Sequence, residues 1–273
     1  MDHYAVIGHP IGHSKSPLIH RLFAEQTGQT LEYEAILSPL DGFAETLQTF
    51  FSVSAAKGVN VTVPFKEQAF EWVDSLSPAA RQAGAVNTIV RRSNGEYLGD
   101  NTDGMGLVLD LRNKNAPLTD AHVMVVGAGG AARGVLLPLY EAGVRRFSVV
   151  NRTLTKAKAL AQVIPDAQFN GFDYSAGELE VLRPDIIINA TSLSLSAQVP
   201  PLPLSVYQNA AIAYDMVYQS DPTVFMNTAL ANGTGAAYDG LGMLVGQAAY
   251  SFFLWRGVHP DITPVLSQLR SML

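Results

Sequence analysis

The stretch VMVVGAGGAARGVLL, residues 123–137, constrains the fold of this chain more than any other, because it joins a strand, a tight turn and a helix. A run rich in β-branched residues over 122–127 predicts a buried strand, and the apolar spacing after Ala132 predicts a helix. Glycines between them let the backbone turn tightly and approach a pyrophosphate, whose charge the helix N-terminus stabilises. The pattern favours a dinucleotide site over a plain strand–helix turn, with these candidate residues: Gly127, Ala128, Gly129, Gly130 and Ala131.

More strands of the same kind follow this motif. The runs 146–151, 185–190 and 211–217 are almost continuously apolar, as expected of parallel strands that are buried on both faces, and helical segments separate them. The second half of the chain is therefore predicted to be a Rossmann-type dinucleotide-binding domain.

The first half also alternates strands and helices. Strands are predicted at 4–8, 32–37, 58–63 and 85–90, and Asn94-Gly95 predicts a hairpin that forms one antiparallel edge. The polar segment 113–120 is a candidate boundary region, and the closing helices are expected to return to the first domain. We therefore expect two α/β domains: a mostly parallel domain over 1–103 plus 239–273, and the Rossmann domain over 104–238.

The end of the second Rossmann strand indicates which dinucleotide binds. An NAD site usually places Asp or Glu there, whereas this chain has Asn151, Arg152 and Thr153, with Lys156 one turn later. A guanidinium can clamp a 2′-phosphate with two hydrogen bonds, so NADP is favoured. The alternative is an exposed arginine beside a threonine that caps a helix. Thr191, in the polar NATS segment after the next strand, is a further cofactor candidate, although such a segment also suits an ordinary turn.

Four polar residues outside the Rossmann motifs are candidates for a site. Lys66 follows Pro64, which suits a first helical position, and is either exposed by accident or a proton donor. Asp103 opens a helix, where a carboxylate is also a favourable first-turn residue. Asn87 lies in an apolar strand and needs partners, and Gln247 on an apolar helix face is either satisfied internally or directed into a cleft.

Composition excludes several classes of protein. The net charge is −6 with no basic run, which argues against a nucleic-acid surface. No apolar run reaches about 18 residues, so no membrane span is expected, and the N-terminus lacks the pattern of a secretory signal. The absence of cysteine excludes disulfides and thiolate metal sites, and no metal site is predicted. We expect a cytoplasmic protein, monomeric or homodimeric, that acts on a small molecule.

Nine short segments resemble the shikimate dehydrogenase family in order and spacing. They extend over almost the entire chain: IGHSKSPLIH, NVTVPFK, GAVNT, GDNTDG, GAGGAARG, NRT, NATS, YDMVY and DGLGMLVGQAA. The resemblance implies NADPH-dependent, reversible reduction of 3-dehydroshikimate to shikimate on the route to aromatic amino acids.

The resemblance also implies roles for individual residues. Lys66 and Asp103 would be the catalytic pair in a cleft between the domains. Ser14 and Ser16 would bind the substrate carboxylate with Tyr218 nearby. Independently of the resemblance, the position of Ser16 before Pro17 predicts that it caps the following helix, and the two roles are compatible. The ring hydroxyls of the substrate would be bound by Thr62, Asn87 and Gln247. The nicotinamide of the cofactor would lie beside Met216, Gly240 and Met243.

The chain departs from the family pattern at one place. The family commonly has a glycine a few residues after NATS, whereas this chain continues LSLSAQVPP, which affects the expected shape of the loop on the cofactor side. Two alternatives to NADP-dependent shikimate oxidoreduction are a quinate/shikimate dehydrogenase that uses NAD, and a catalytically silent NADP-binding regulator. The acid-free strand end at Arg152 opposes the first, and the intact Lys66 and Asp103 oppose the second.

Overall fold

The computed structural model describes residues 1–273 and divides into two compact units. The first unit comprises Met1–Gly106 and Val245–Leu269, and the second comprises Leu107–Leu244 and Arg270–Leu273. The first two points at which the chain passes from one unit to the other lie inside helices, so the polar segment 113–120 is not the boundary. A continuous helix shows no break in composition at such a point.

None of the helices is both long and apolar enough to cross a membrane.

The first unit is built on a six-stranded sheet with the order β2-β1-β3-β5-β6-β4, in which three of the five pairings are parallel. Its helices include α1, which ends where Gly28 adopts a left-handed conformation (φ 64°), as the sequence predicts. The elements are β1 (Asp2–Gly8), α1 (Ser16–Thr27), β2 (Leu31–Leu37), α2 (Phe43–Phe51), β3 (Ala56–Val61), α3 (Lys66–Trp72), β4 (Ser75–Leu76), α4 (Pro78–Ala83), β5 (Thr88–Arg91) and β6 (Tyr97–Asp100).

The predicted hairpin forms, but it is not an edge of the sheet. β5 and β6 pair antiparallel around Asn94-Gly95, and Gly95 has a φ of 90° that few other residues adopt. The two-residue strand β4 then pairs with β6 in parallel and covers it. So short a strand has no periodic pattern by which the sequence could reveal it.

The core of the first unit positions the start of α3. Phe65 is fully buried and stacks on Phe43 of α2, with ring centroids 4.7 Å apart. Ala69, one turn later, is also buried against the sheet. The helix begins at Lys66, after a turn that contains Pro64, so the prediction of Pro64 at the first helical position is wrong. The buried ring of Phe65 thus anchors the chain immediately before Lys66.

The second unit has the strand order of a Rossmann fold. Its six strands are all parallel in the order β12-β11-β10-β7-β8-β9, which confirms the predicted architecture. Helix α5 (Asp103–Asn113) leads into this unit, and α9 (Leu241–Arg256) and α10 (Ile262–Arg270) follow it. The other elements are β7 (His122–Val126), α6 (Gly130–Glu141), β8 (Arg146–Val150), α7 (Leu154–Ala159), β9 (Gln168–Phe172), β10 (Ile186–Asn189), β11 (Ile212–Asp215), α8 (Val224–Ala231) and β12 (Ala236–Tyr238).

The two strands that the sequence does not predict are the edges of this sheet. β9 has the sequence QFNGF and β12 has only three residues, AAY. The central strands β7, β10 and β11 are buried along their whole length, and the sequence predicts all three. An edge strand is covered less completely, so it does not need the continuous apolar run that marks a central strand.

Candidate active site

Lys66 and Asp103 are hydrogen-bonded to each other in the first unit. The Lys66 Nζ lies 2.6 Å from Asp103 Oδ2, although the residues are 37 positions apart in the chain. Lys66 is the first residue of α3 and Asp103 the first of α5. Their side chains are 30% and 23% exposed, so the pair is sheltered from bulk water yet accessible to a small molecule.

Asn87 holds the carboxylate of this pair through a hydrogen bond. Its Nδ2 donates to Asp103 Oδ1 at 2.8 Å, so each oxygen of the carboxylate has its own donor. Its Oδ1 accepts from the backbone N–H of Thr102 at 2.9 Å and from the Thr88 hydroxyl at 2.9 Å. The buried amide predicted to need partners therefore finds them within the protein. The predicted contact of Asn87 with a ring hydroxyl stays a prediction.

The two serines near the N-terminus take different positions. The helix begins at Ser16 itself, with Lys15 as its cap residue, so the predicted N-cap role of Ser16 is wrong. The backbone N–H of Ser16 instead donates to Ser14 Oγ at 3.3 Å. Ser16 is buried, whereas Ser14 is half-exposed. Of the two, Ser14 has the hydroxyl that a ligand can reach more readily.

The other three predicted substrate residues are half-buried. Thr62 lies in the turn after β3, and its N–H donates to Ile7 O at 2.9 Å. Gln247 lies in the part of α9 that belongs to the first unit. Tyr218 belongs to the second unit, where burial, with Asp239, raises the pKa of its phenol.

The glycine-rich turn of the second unit has the space that a phosphate group needs. Gly127 has a φ of 108°, and a Cβ there would lie 3.2 Å from Thr191 Cγ2, so only glycine fits without strain. Gly129 and Gly130 face open space, where a Cβ would meet no atom within 4 Å. The α6 helix begins at Gly130, and the first N–H groups of a helix have no partner within it. The turn therefore presents free amide donors to an open volume.

The residues after β10 are organised by a buried carboxylate that the sequence reasoning missed. Asp215, fully buried at the end of β11, accepts from Ser194 Oγ at 2.6 Å, Thr223 Oγ1 at 2.7 Å and Asn189 Nδ2 at 3.1 Å. Burial raises the pKa of Asp215, and these hydrogen bonds oppose the rise. Asn189 Oδ1 in turn accepts from the Thr191 hydroxyl at 2.6 Å. A single acid within an otherwise apolar strand was the signal available in the sequence.

These bonds explain how the loop after NATS keeps its shape without the expected glycine. Residues Leu193–Ser196 form a short 3₁₀ turn, and Ser194 ties it to Asp215. Ala197 follows in a left-handed conformation (φ 53°). Thr191 stays beside Gly127, at the point where the strand order of the sheet reverses between β7 and β10. Ligands of open α/β sheets bind at such a point.

The polar residues after β8 lie at the same edge of the sheet, where Asn151 is half-buried and Arg152, Thr153 and Lys156 are exposed. Asn151 Nδ2 donates to Thr153 O at 3.0 Å, which shapes the turn into α7. Thr153 is the cap residue of α7, but its side chain makes no capping hydrogen bond. The side chains of Arg152 and Lys156 are exposed and form no ion pair or hydrogen bond with another residue, so both charges are available to an anion. An exposed arginine is common to both interpretations, whereas the missing capping bond of Thr153 speaks against the second part of the alternative. The contact of Arg152 with a 2′-phosphate stays a prediction.

Gly240 packs directly on the chain after β11. A Cβ at Gly240 would lie 2.1 Å from Met216 O, and the Gly240 N–H donates to Val217 O at 3.2 Å. Met216 and Gly240 therefore lie side by side at the carboxyl ends of β11 and β12. The residues predicted to contact a cofactor thus follow the carboxyl ends of strands of one parallel sheet.

The first unit can supply acid–base chemistry, and the second can bind a dinucleotide. An ammonium hydrogen-bonded to a carboxylate can stabilise a developing oxyanion and deliver its proton. Free amide donors and a basic side chain at the carboxyl edge of a Rossmann sheet suit a pyrophosphate and a 2′-phosphate.

Comparison with known proteins identifies three consecutive family matches. Residues 6–89 match the shikimate dehydrogenase substrate binding domain and residues 110–197 match shikimate / quinate 5-dehydrogenase. Residues 240–270 match the shikimate 5′-dehydrogenase C-terminal domain.

Solved structures similar to this chain extend over nearly its full length. The Ael1 enzyme from Pseudomonas putida is 44% identical, with a TM-score of 0.94 over 98% of each chain. Shikimate 5-dehydrogenase from Thermus thermophilus, solved in complex with NADP(H) and shikimate, is 36% identical, with a TM-score of 0.86 over 100% of each chain. The 5-ketofructose reductase of Gluconobacter sp. strain CHM43 is 26% identical, with a TM-score of 0.87 over 100% of this chain and 99% of the other.

The family motifs, the two folds and the full-length similarity all point to the same conclusion. This chain belongs to the shikimate dehydrogenase family.

Proposed function

We propose that this protein catalyses the reversible, NADP(H)-dependent interconversion of 3-dehydroshikimate and shikimate, on the route to chorismate and the aromatic amino acids. The observation that carries the proposal is the bond of 2.6 Å between Lys66 Nζ and Asp103 Oδ2 in a chain of this family. The cytoplasmic location predicted from the sequence belongs to the same proposal.

Lys66 and Asp103 divide the work at the reacting oxygen. When bound, NADPH supplies a hydride to the carbonyl carbon. The Lys66 ammonium stabilises the negative charge that develops on the oxygen and donates the proton that completes the alcohol. Asp103 orients this group through their hydrogen bond, and in the reverse direction the neutral Lys66 amine takes the proton of the alcohol as the hydride leaves the carbon. Asn87 keeps the Asp103 carboxylate in place.

Ser14 and its neighbours would recognise the substrate. The half-exposed Ser14 hydroxyl can donate to the carboxylate of shikimate, and Thr62 and Gln247 are proposed partners of its ring hydroxyls. Ser16 supports this site mainly from inside, because its side chain is buried and its backbone N–H donates to Ser14 Oγ. Tyr218 is a proposed further contact of the carboxylate.

The residues of the second unit fit NADP. Gly129 and Gly130 leave open space at the start of α6 for the pyrophosphate. The exposed cations of Arg152 and Lys156 would bind the 2′-phosphate. In a Rossmann sheet the two halves of a dinucleotide lie on either side of the switch point. With the 2′-phosphate near Arg152 after β8, the nicotinamide would lie near Thr191, Met216 and Gly240, on the β10–β12 side.

The direct test measures absorbance of the reduced nicotinamide with shikimate or quinate and with NADP⁺ or NAD⁺. The proposal predicts fastest turnover with shikimate and NADP⁺. Faster reaction with quinate and NAD⁺ would favour the first alternative. Binding of NADP⁺ without turnover of either substrate would favour a silent regulator.

Arg152→Ala tests the cofactor assignment. Loss of a charge-assisted clamp should lower kcat/KM for NADP⁺ by about 10- to 100-fold, with little effect on NAD⁺. Arg183→Ala is the matched control, because Arg183 is an exposed arginine of the second unit that bonds only backbone oxygens before β10. An unchanged ratio of the two cofactors in Arg152→Ala would place the 2′-phosphate elsewhere.

Reduction of another polyhydroxylated ketone is the second candidate function. The similarity to 5-ketofructose reductase over the whole chain favours it, because the Lys66–Asp103 pair can protonate any ketone held beside it. Ser14 and Thr62 can bind hydroxyls as well as a carboxylate. Including 5-ketofructose in the assay with NADPH decides between the two: a higher kcat/KM than for 3-dehydroshikimate would replace the first proposal.

A further inference from the structure

Tyr214 joins three elements of the second unit through one hydroxyl group. This residue of β11 is fully buried, and its OH donates to Asp110 Oδ2 of α5 at 2.9 Å. The same oxygen accepts the backbone N–H of Met243, in the first turn of α9, at 3.1 Å. The hydroxyl thus forms a directed chain from Met243 N–H through Tyr214 to the Asp110 carboxylate.

Asp110 is confined where it receives this bond. It is only 1% exposed, and its other oxygen, Oδ1, has no hydrogen-bond partner. The carboxyl group packs closely against α9 at Gly242, where an added Cβ would lie 2.1 Å from Asp110 Oδ2. Burial raises the pKa of Asp110, which the Tyr214 bond opposes; Lys114, Asp239 and Arg270 are the other charged groups near it. A buried acid kept in this position needs a reason beyond packing, because an apolar side chain would avoid the cost of burial.

The segment held by this chain of bonds lies at the ligand edge of the sheet. α9 begins immediately after β12, and Gly240, just before the helix, rests on the backbone of Met216. The pyrophosphate turn and Arg152 lie on the β7–β8 side of the switch point. The other half of a dinucleotide therefore extends over the ends of β10, β11 and β12.

We propose that Tyr214 and Asp110 are positioning residues that fix the backbone of Gly240–Met243, and through it the orientation of the nicotinamide ring. The inference rests on the proposed function. The hydroxyl sets where the first turn of α9 lies by holding its Met243 N–H, and Asp110 sets the direction of the hydroxyl. Neither residue touches the reacting atoms.

Tyr214→Phe tests the proposal, with Tyr207→Phe as its matched control. Tyr207 is a second fully buried tyrosine of the same unit, and its hydroxyl has no hydrogen-bond partner. We expect Tyr214→Phe to lower kcat for shikimate oxidation by about 10- to 100-fold, since a small misplacement of a reactant has an effect of this size. The KM for shikimate should stay within about twofold, because ground-state binding of the substrate is not altered. Tyr207→Phe should leave both constants unchanged.

Two further measurements separate positioning from a general loss of structure. Shikimate with deuterium on the carbon that loses hydride should give a larger isotope effect on kcat in Tyr214→Phe, because hydride transfer becomes more rate-limiting. The fluorescence of the reduced nicotinamide in the NADPH complex should also differ between Tyr214→Phe and the unmodified protein. The affinity for 2′,5′-ADP, which lacks the nicotinamide ring, should be the same in both. Equal behaviour of Tyr214→Phe and Tyr207→Phe in these measurements would overturn the proposal.

Gly242→Ala provides a second variant that keeps every hydroxyl. Alanine favours a helix, but its Cβ would displace the Asp110 carboxyl group, so the same changes are expected. A normal kcat and isotope effect in a folded Gly242→Ala protein would contradict the positioning role. If the unmodified protein does not oxidise shikimate, the proposed function fails; the fluorescence comparison then still tests the positioning of the nicotinamide.

Discussion

At the residue scale, the proposed chemistry depends on the environment of one ammonium group. Lys66 is sheltered by the fold, oriented by Asp103 and held at the start of α3 by the buried ring of Phe65. Lys66→Ala should lower kcat by about two to four powers of ten, the range of a lost acid–base group, with a smaller effect on KM. Steady-state kinetics with shikimate and NADP⁺ measures this.

Lys57→Ala is the control for that variant. Lys57 lies on β3 of the same unit, and its ammonium donates only to the backbone oxygen of Ser54 at 2.9 Å. Its removal should leave turnover unchanged. A normal kcat in Lys66→Ala would remove the lysine from the mechanism.

At the scale of elements, the turn after β10 carries a strained residue. Ala197 has a φ of 53° and is exposed, so glycine would relieve backbone strain there without losing a contact. Ala197→Gly should raise the free energy of unfolding by about 0.5 to 1 kcal/mol, the relief of strain less the entropy that glycine gains in the unfolded chain. Urea unfolding of the two proteins measures the difference.

The same substitution of alanine by glycine within a helix should lower the free energy of unfolding instead of raising it. Ala44 is exposed in α2, where the backbone is right-handed, and Ala44→Gly should lower stability by up to about 1 kcal/mol. A loss of stability in Ala197→Gly similar to that in Ala44→Gly would show that the turn is not strained.

At the scale of the whole molecule, a buried histidine links the stability of the first unit to pH. His20 is fully buried between aromatic rings, stacked on Tyr33 with centroids 4.2 Å apart. Burial lowers the pKa of His20 to about 3. The unfolded chain binds a proton at His20 near pH 6.5, whereas the folded chain does not. The contribution of neutral His20 to the free energy of unfolding is therefore fully present above about pH 6.5 and falls as the pH drops toward 3.

His20→Phe should remove this part of the pH dependence. Between about pH 7.5 and pH 5 the unmodified protein should lose about 2 kcal/mol more than His20→Phe does. Tryptophan fluorescence reports on the first unit alone, because Trp72 and Trp255 both belong to it. Substitution of the exposed His259 by Phe is the control, and equal pH dependence in all three proteins would show that His20 is not the titrating group.

Local patterns allowed much of the architecture to be predicted. The central strands β7, β10 and β11, the glycine turn and the left-handed end of α1 follow from hydrophobic runs and from glycine, which act over a few residues. The edge strands β9 and β12 of the second sheet and the strand β4 could not be predicted, because partly exposed or very short segments have no distinctive local pattern. The same holds for the exact residues at which the chain crosses between the units inside α5 and α9, because a continuous helix has no break in composition there.

By itself, therefore, the sequence determined the Rossmann order of elements and supplied the residues of the site, because backbone preference and apolar periodicity are local properties. Only the tertiary structure decided which of those residues meet. It joined Lys66 to Asp103, buried Ser16 at the start of α1 and linked Met243 through Tyr214 to Asp110. Such contacts depend on how whole elements pack, since a hydrogen bond between distant residues forms only where buried side chains have already placed both partners.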